Sequence, residues 1–277
     1  MERIRSGDVE IAYRRFGHPG RTPVLIVHGL SYFSYDWIGP ASRIAADREV
    51  VAMDMRGFGE STWSPERNYK LESLVADAVN LLDALGWTQA VMIGHSFGGR
   101  VALATAGWHK PRAAALICVD FAPDLAPAGR RHTAERIGGQ PDVFASVDAA
   151  MAYHGHHDVT ADSPLRARYA AFLRKTDAGY VLRRDLAFRD NFKRALETGQ
   201  SAPVPAFLWP MLSELEVPAL VIRASESDMF APETLDKARR ANPRVTAIKL
   251  AGSHDLAGDN PDGLVEAVQG FLRSADV

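Results

Sequence analysis

Between residues 23 and 250 the chain alternates short apolar runs with helix-compatible stretches, which predicts an α/β architecture with helices layered on a mostly parallel sheet. Three observations carry this. The runs at 23–27, 50–53, 90–93 and 113–119 are continuous rather than alternating, as in strands covered on both faces, and further strand candidates follow at 218–224 and 245–250. Segments with apolar residues at three-and-four spacing separate them. His28, Asp54, Ser96 and Asp120 fall just past four of the runs, where ligands collect in such sheets.

Taken in order, residues 2–5 and 9–16 read as a hairpin turning at Ser6-Gly7-Asp8. The buried strand 23–27 ends in His28-Gly29, and the aromatic stretch 32–37 leads into a helix at 37–46. Strand 50–53 ends in Asp54, followed by a loop containing Arg56, Gly57 and Gly59; Asp54 and Arg56 are expected to pair and brace it. Leu74, Val75, Ala78, Leu81, Leu82 and Leu85 mark an amphipathic helix at 71–85 that Gly86 stops. Strand 90–93 and helix 99–107 flank Gly94-His95-Ser96-Phe97-Gly98, and strand 113–119 ends in Asp120.

From 121 to about 210 strand-like runs give way to charge, alanine and short helical patterns at 143–154, 164–175 and 189–199, with 179–185 open between a strand and an extended segment. The alternation resumes with strand 218–224, a helix at 232–241 opened by Pro232, strand 245–250, the loop Gly252-Ser253-His254-Asp255 and a closing helix at 261–273.

With 277 residues, 47% hydrophobic and 24% charged, the chain fits one large core with a subdomain and is too apolar for disorder. A formal net charge of -2 offers no basic field for nucleic acid. Its single cysteine, Cys118, cannot close an internal disulfide. No apolar run reaches membrane-spanning length and the first residues lack a signal-peptide pattern, so a cytoplasmic monomer or homodimer acting on a small molecule, without nucleic-acid or membrane partners, is expected. There is no P-loop and no glycine-rich dinucleotide fingerprint. His154, His156, His157 and Asp158 carry metal-ligand chemistry but sit in a short polar turn, so no metal and no cofactor is expected.

The G-x-S-x-G of Gly94 to Gly98 lies between a strand and a helix, the setting of a nucleophile elbow, where small residues two before and two after the serine let the backbones approach. With Val24-Leu25-Ile26-Val27-His28-Gly29-Leu30, Asp54-Met55-Arg56-Gly57-Phe58-Gly59-Glu60-Ser61, Asp228 and Gly252-Ser253-His254, it resembles the α/β-hydrolase fold family over nearly the whole chain outside the middle segment. The resemblance implies a mostly parallel eight-stranded sheet with helices on both faces and a helical cap inserted after the sixth strand. Residues 1–120 and 211–277 would form the core and 121–210 the cap. It also implies ester, lactone, amide or related hydrolysis without a cofactor. In the cap, Phe144, Met151, Tyr153, Phe188, Phe192, Phe207, Trp209 and Met211 are candidates for the substrate pocket.

A serine hydroxyl attacks a carbonyl only when a base takes its proton, and a histidine held by an acid does so near neutral pH. Ser96, Asp228 and His254 stand in the Ser-acid-His order of the family. Asp228 follows the penultimate strand, the common position for the acid; Asp120 is the alternative, at the place used by haloalkane dehalogenases. The backbone amides of Leu30 and Phe97 are the expected oxyanion donors. His28 and His95 are expected to brace the loops, and Asp255 to serve its own loop. The leading expectation is a serine hydrolase acting on a small carboxylic ester or lactone through an acyl-enzyme. Amide or C–C bond hydrolysis by the same residues, cofactor-free oxygenase or haloperoxidase chemistry, and a catalytically silent ligand-binding protein are the alternatives. Serine at 96 disfavours haloalkane dehalogenases and epoxide hydrolases, which use aspartate there.

Overall fold

The computed structural model describes residues 1–199 and 204–277; residues 200–203, inside the expected cap, lie outside the described residues. The strands are β1 (Glu2–Ser6), β2 (Val9–Phe16), β3 (Val24–Val27), β4 (Val50–Met53), β5 (Ala90–His95), β6 (Ala113–Val119), β7 (Leu173–Thr176), β8 (Gly179–Leu182), β9 (Ala219–Ala224) and β10 (Val245–Leu250). The helices are α1 (Ile38–Ile44), α2 (Leu71–Ala84), α3 (Phe97–Trp108), α4 (Pro127–Gly138), α5 (Val147–Tyr153), α6 (Pro164–Phe172), α7 (Leu186–Thr198), α8 (Leu208–Ser213), α9 (Pro232–Ala241), α10 (Leu256–Asp259) and α11 (Pro261–Ser274).

Eight strands form one sheet in the order β1-β2-β4-β3-β5-β6-β9-β10, and every pairing from β4 to β10 is parallel. Successive strand residues point to opposite faces, and the two faces bury different sets. Leu25, Val27 and Met92 pack with Leu74, Leu81 and Val101 on the α2 and α3 side. Val24, Ile26, Val91 and Ile93 pack with Ile44, Leu264 and Val268 on the α1 and α11 side. Covered on both faces, these strands have no polar positions to alternate, which is why they read as continuous apolar runs. Cys118 lies in this core, where burial pushes its thiol up to about 12 and leaves it a packing residue.

The chain goes from β3 out to β4 and then returns to place β5 on the other side of β3. The carboxyl ends of β3 and β5 therefore flank a point where the strand order reverses, the geometric reason for a crevice there.

Between β6 and β9 the chain adds α4 to α8 and the antiparallel hairpin β7-β8. Phe144, Met151, Tyr169, Phe172 and Leu182 form a separate small core there with Phe33 from the loop after β3. The insert is stitched to the loop after β4: Gly59 N–H donates to Arg183 O at 2.7 Å, and Asp185 N–H to Gly57 O at 2.8 Å. Helix α8 packs instead on the main core, through Leu208 and Leu212 and through Met211 against Gly107 of α3.

Several local expectations are corrected. Asp54 and Arg56 do not pair. Arg56 forks onto Asp77 at 2.6 and 2.8 Å, while buried Asp54 accepts from the amides of Ser34 and Glu60, and burial raises its pKa. The pattern at 164–175 breaks at Leu173 because the chain turns there into β7. Helix α4 was not anticipated: Arg130, Arg131 and Arg136 dilute its apolar face to little more than Ala134 and Ile137. Among the described residues, no helix is long and apolar enough to cross a membrane.

Candidate active site

Ser96 sits between β5 and α3 at φ 51 and ψ −118, a conformation L-residues rarely adopt. The neighbouring glycines allow it. A Cβ on Gly94 would lie 2.3 Å from the carbonyl oxygen of Gly98, and one on Gly98 would lie 2.2 Å from that of Val27. The turn is thus held from both sides by backbone, with the serine at its tip.

Strand register then brings the partners in. Val119 pairs with His95, and Ser96 N–H donates to Val119 O at 3.0 Å, so Asp120, the next residue, lies beside Ser96. Leu250 pairs with Ala224 at the end of β10, and the following loop carries His254 back over the elbow. His254 Nδ1–H donates to Asp120 Oδ2 at 2.5 Å, and His254 Nε2 lies 2.8 Å from Ser96 Oγ, placed to accept from its hydroxyl. The Asp120 side chain is fully buried. Its Oδ1 accepts from Ala224 N–H at 2.8 Å, and its Oδ2 also accepts from Ser227 Oγ–H at 2.6 Å.

This corrects the expectation that Asp228 would hold the imidazole. Asp228 is 44% exposed and bonds His132 Nδ1 of α4 at 2.8 Å. The reason lies one residue earlier. Ser227 donates to Asp120 and accepts from the amides of Met229 and Phe230, which turns the loop so that residue 228 faces outward.

The histidines expected to brace the loops are buried and neutral. His28 Nε2 accepts from Met55 N–H at 3.0 Å, so its Nδ1–H donates to Gly29 O at 2.8 Å; burial pushes its pKa down to about 4. His95 Nε2–H donates to His254 O at 2.8 Å, and burial, followed by the nearby His254, holds its pKa well below the ordinary value. Asp255 stays with its own loop as the N-cap of α10. A Cβ on Gly29 would stand 3.1 Å from that of Ser96, so the loop after β3 passes directly beside the elbow. Among the described residues neither the Leu30 nor the Phe97 amide has an acceptor. Phe97 also opens α3, where the helix dipole favours negative charge.

A cavity of about 390 Å³ stands over Ser96 and His254, floored by Leu30, Phe97 and Phe121 and roofed by α4 and α7. Of the expected pocket residues only Phe188 and Phe192 line it. Phe144 and Met151 pack inside the insert, and Trp209 and Met211 against the main core. Tyr153 packs at a tilt against Phe144 and Phe207 against Trp108. His154 and His156 pack on Tyr169, and among the described residues no group of three His, Cys, Asp or Glu is arranged to hold a metal.

Sequence reasoning missed Ser227, Thr133, Asn191 and the arginines Arg100, Arg130 and Arg136, all but Ser227 on the cavity wall. Arg100 had a signal, since it falls in the first turn of the helix that follows the elbow.

Residues 22–259 match the family described as alpha/beta hydrolase fold. The chain belongs to that family. This α/β-hydrolase is 28% identical to the 3-hydroxybutyrate-oligomer hydrolase of Cupriavidus necator, over 87% of this chain and 85% of the relative. It is 27% identical to Esterase YbfF of Escherichia coli, over 91% and 93%. Among solved structures, E-2-(acetamidomethylene)succinate hydrolase superposes with a TM-score of 0.83 over 98% of each chain at 22% identity, a likeness of fold. The relatives named here are hydrolases.

Proposed function

We propose that this α/β-hydrolase cleaves small carboxylic esters or lactones through an acyl-enzyme on Ser96, with His254 as base and Asp120 as its acid. The observation that carries the reading is the unbroken chain from Asp120 Oδ2 through the imidazole to Ser96 Oγ, opening into the cavity. Ser96 Oγ attacks the carbonyl carbon as its proton passes to His254 Nε2. Asp120 fixes the tautomer and stabilises the imidazolium. The Leu30 and Phe97 amides receive the oxyanion, aided by the α3 dipole. His254 returns the proton to the leaving alkoxide, and water then repeats the sequence to release the acid. The insert serves as the cap that keeps bulk water from the acyl-enzyme.

A fluorophosphonate probe tests this. It should label Ser96 alone, and a panel of esters, lactones and amides should be cleaved in that order of preference. Ser96→Ala should remove labelling and lower turnover by about 10⁴-fold or more while the fold persists. Labelling elsewhere, or wild-type turnover in that variant, removes the assignment. Faster cleavage of amides moves the substrate class and keeps the triad.

A further inference from the structure

The wall of the cavity is rich in arginine. Arg100 of α3 and Arg130 and Arg136 of α4 line it, against a single carboxylate, Asp120. Both oxygens of Asp120 are taken by His254, Ser227 and the Ala224 amide. Arg100 has no hydrogen bond or ion pair among the described residues; its Nε is buried without a partner, and its guanidinium rests against the Phe97 ring at 5.8 Å. Burial, and the like charge of Arg130, lower its pKa.

Other arginines that enter the interior of this molecule have partners for their terminal nitrogens, although Arg112 and Arg183 also leave a buried Nε unbonded. Arg56 forks onto Asp77, and Arg168 pairs with Asp36. Arg223 donates to the carbonyls of Phe230, Ala224, Ser225 and Ser227, and Arg184 to Ser31 and Gln140. A buried guanidinium is costly unless it is paired, and its fork matches a carboxylate. Arg100, partly buried, has no such partner on the wall of the cavity, where a small molecule would supply one.

We propose that the substrate is an ester carrying a free carboxylate, which Arg100 binds while Arg130 and Arg136 add to the attracting field; this rests on the hydrolase reading of the same cavity. Arg100 lies in the first turn of α3, whose N-cap is Ser96, and both line the same cavity. A carbonyl at Ser96 and a carboxylate at Arg100 therefore belong to one short molecule, separated by a few bonds. Half-esters of short dicarboxylic acids have that shape.

The test compares monoethyl succinate and monoethyl glutarate with their neutral diethyl esters. The wild-type protein should favour the half-esters in kcat/KM by about tenfold or more, an advantage that shrinks with added salt. Arg100→Gln should reduce the ratio of charged to neutral kcat/KM by about 10- to 100-fold, acting mainly through KM, and Arg100→Lys should restore part of it. Binding is read without turnover in Ser96→Ala protein: succinate or glutarate should raise its Tm, succinamide should not, and Ser96→Ala combined with Arg100→Gln should lose the rise. If Arg100→Gln does not fold, Arg100→Lys and the salt titration carry the same comparison. Equal or better cleavage of the diesters, with no Tm response to dicarboxylates, overturns the proposal. Fluorophosphonate labelling of Ser96 in the wild-type protein would leave the hydrolase reading standing; a Tm response in the Ser96→Ala protein without labelling of the wild type would sustain the anion site and remove that reading.

Discussion

At the scale of single residues, Ser227 decides which aspartate meets the imidazole. Its hydroxyl donates to Asp120 Oδ2, and the amides of Met229 and Phe230 donate to it, so the loop after β9 closes on itself and Asp228 turns to His132 on the surface. Asp120 arrives by strand register instead, beside Ser96 and buried. Loss of its charge should leave the ring in the wrong tautomer: Asp120→Asn is expected to lower kcat by about 10⁴-fold, as the equivalent change does in a serine-protease triad. Asp228→Asn, exposed and remote from the ring, should stay within about threefold, because a surface pair of this kind is worth little. Steady-state kinetics on one good ester decide between them, and the opposite pattern would return the role to Asp228.

At the scale of elements, the elbow is a steric device. Gly94→Ala would drive a methyl to 2.3 Å from the Gly98 carbonyl oxygen, which the start of α3 cannot relieve without moving off β5. The variant should lose about 3 kcal/mol of stability, the upper part of the range for overpacking, and most of its activity. Urea denaturation measures the first; a stable variant would show that the turn is looser than its contacts. Backbone sterics of this sort are legible in a sequence because only glycine meets them, and the core strands are legible because burial on both faces removes their polar positions. Within the insert, two elements were hidden. Its roof helix α4 carries arginines where apolar residues would mark a buried face, and β7 continues the pattern of α6 without a break in composition. The choice between two aspartates was illegible for another reason, since both follow strands at one sheet edge and only the tertiary bonds of Ser227 orient them.

At the scale of the whole molecule, the active loops are tied to the sheet by two buried, neutral histidines. His28 joins the loop after β3 to that after β4, and His95 joins the elbow to the loop that carries His254. Both have folded-state pKa values below their unfolded ones, so between the two values the unfolded chain binds more protons and stability falls as pH falls. For His28 the window runs from the ordinary 6.5 down to about 4. Its contribution is fully present above that window and is lost across it, by about 3 kcal/mol at 1.36 kcal/mol per unit. Buried Asp54 and Asp77, whose pKa values are raised, act with the opposite sign above pH 3.8, so the net slope of the wild-type protein mixes the groups. A difference between proteins isolates one of them. Glutamine at position 28 presents an amide donor and a carbonyl acceptor but no titrating ring. His28→Gln should therefore cost a constant amount of stability above pH 7, and the wild-type advantage should shrink by about 3 kcal/mol on passing from pH 6.5 to pH 4. Urea denaturation of both proteins at pH 8, 6, 5 and 4 measures it. Parallel stability curves would mean that His28 takes up its proton inside the folded protein, and that the link between the β3 and β4 loops does not depend on a neutral imidazole.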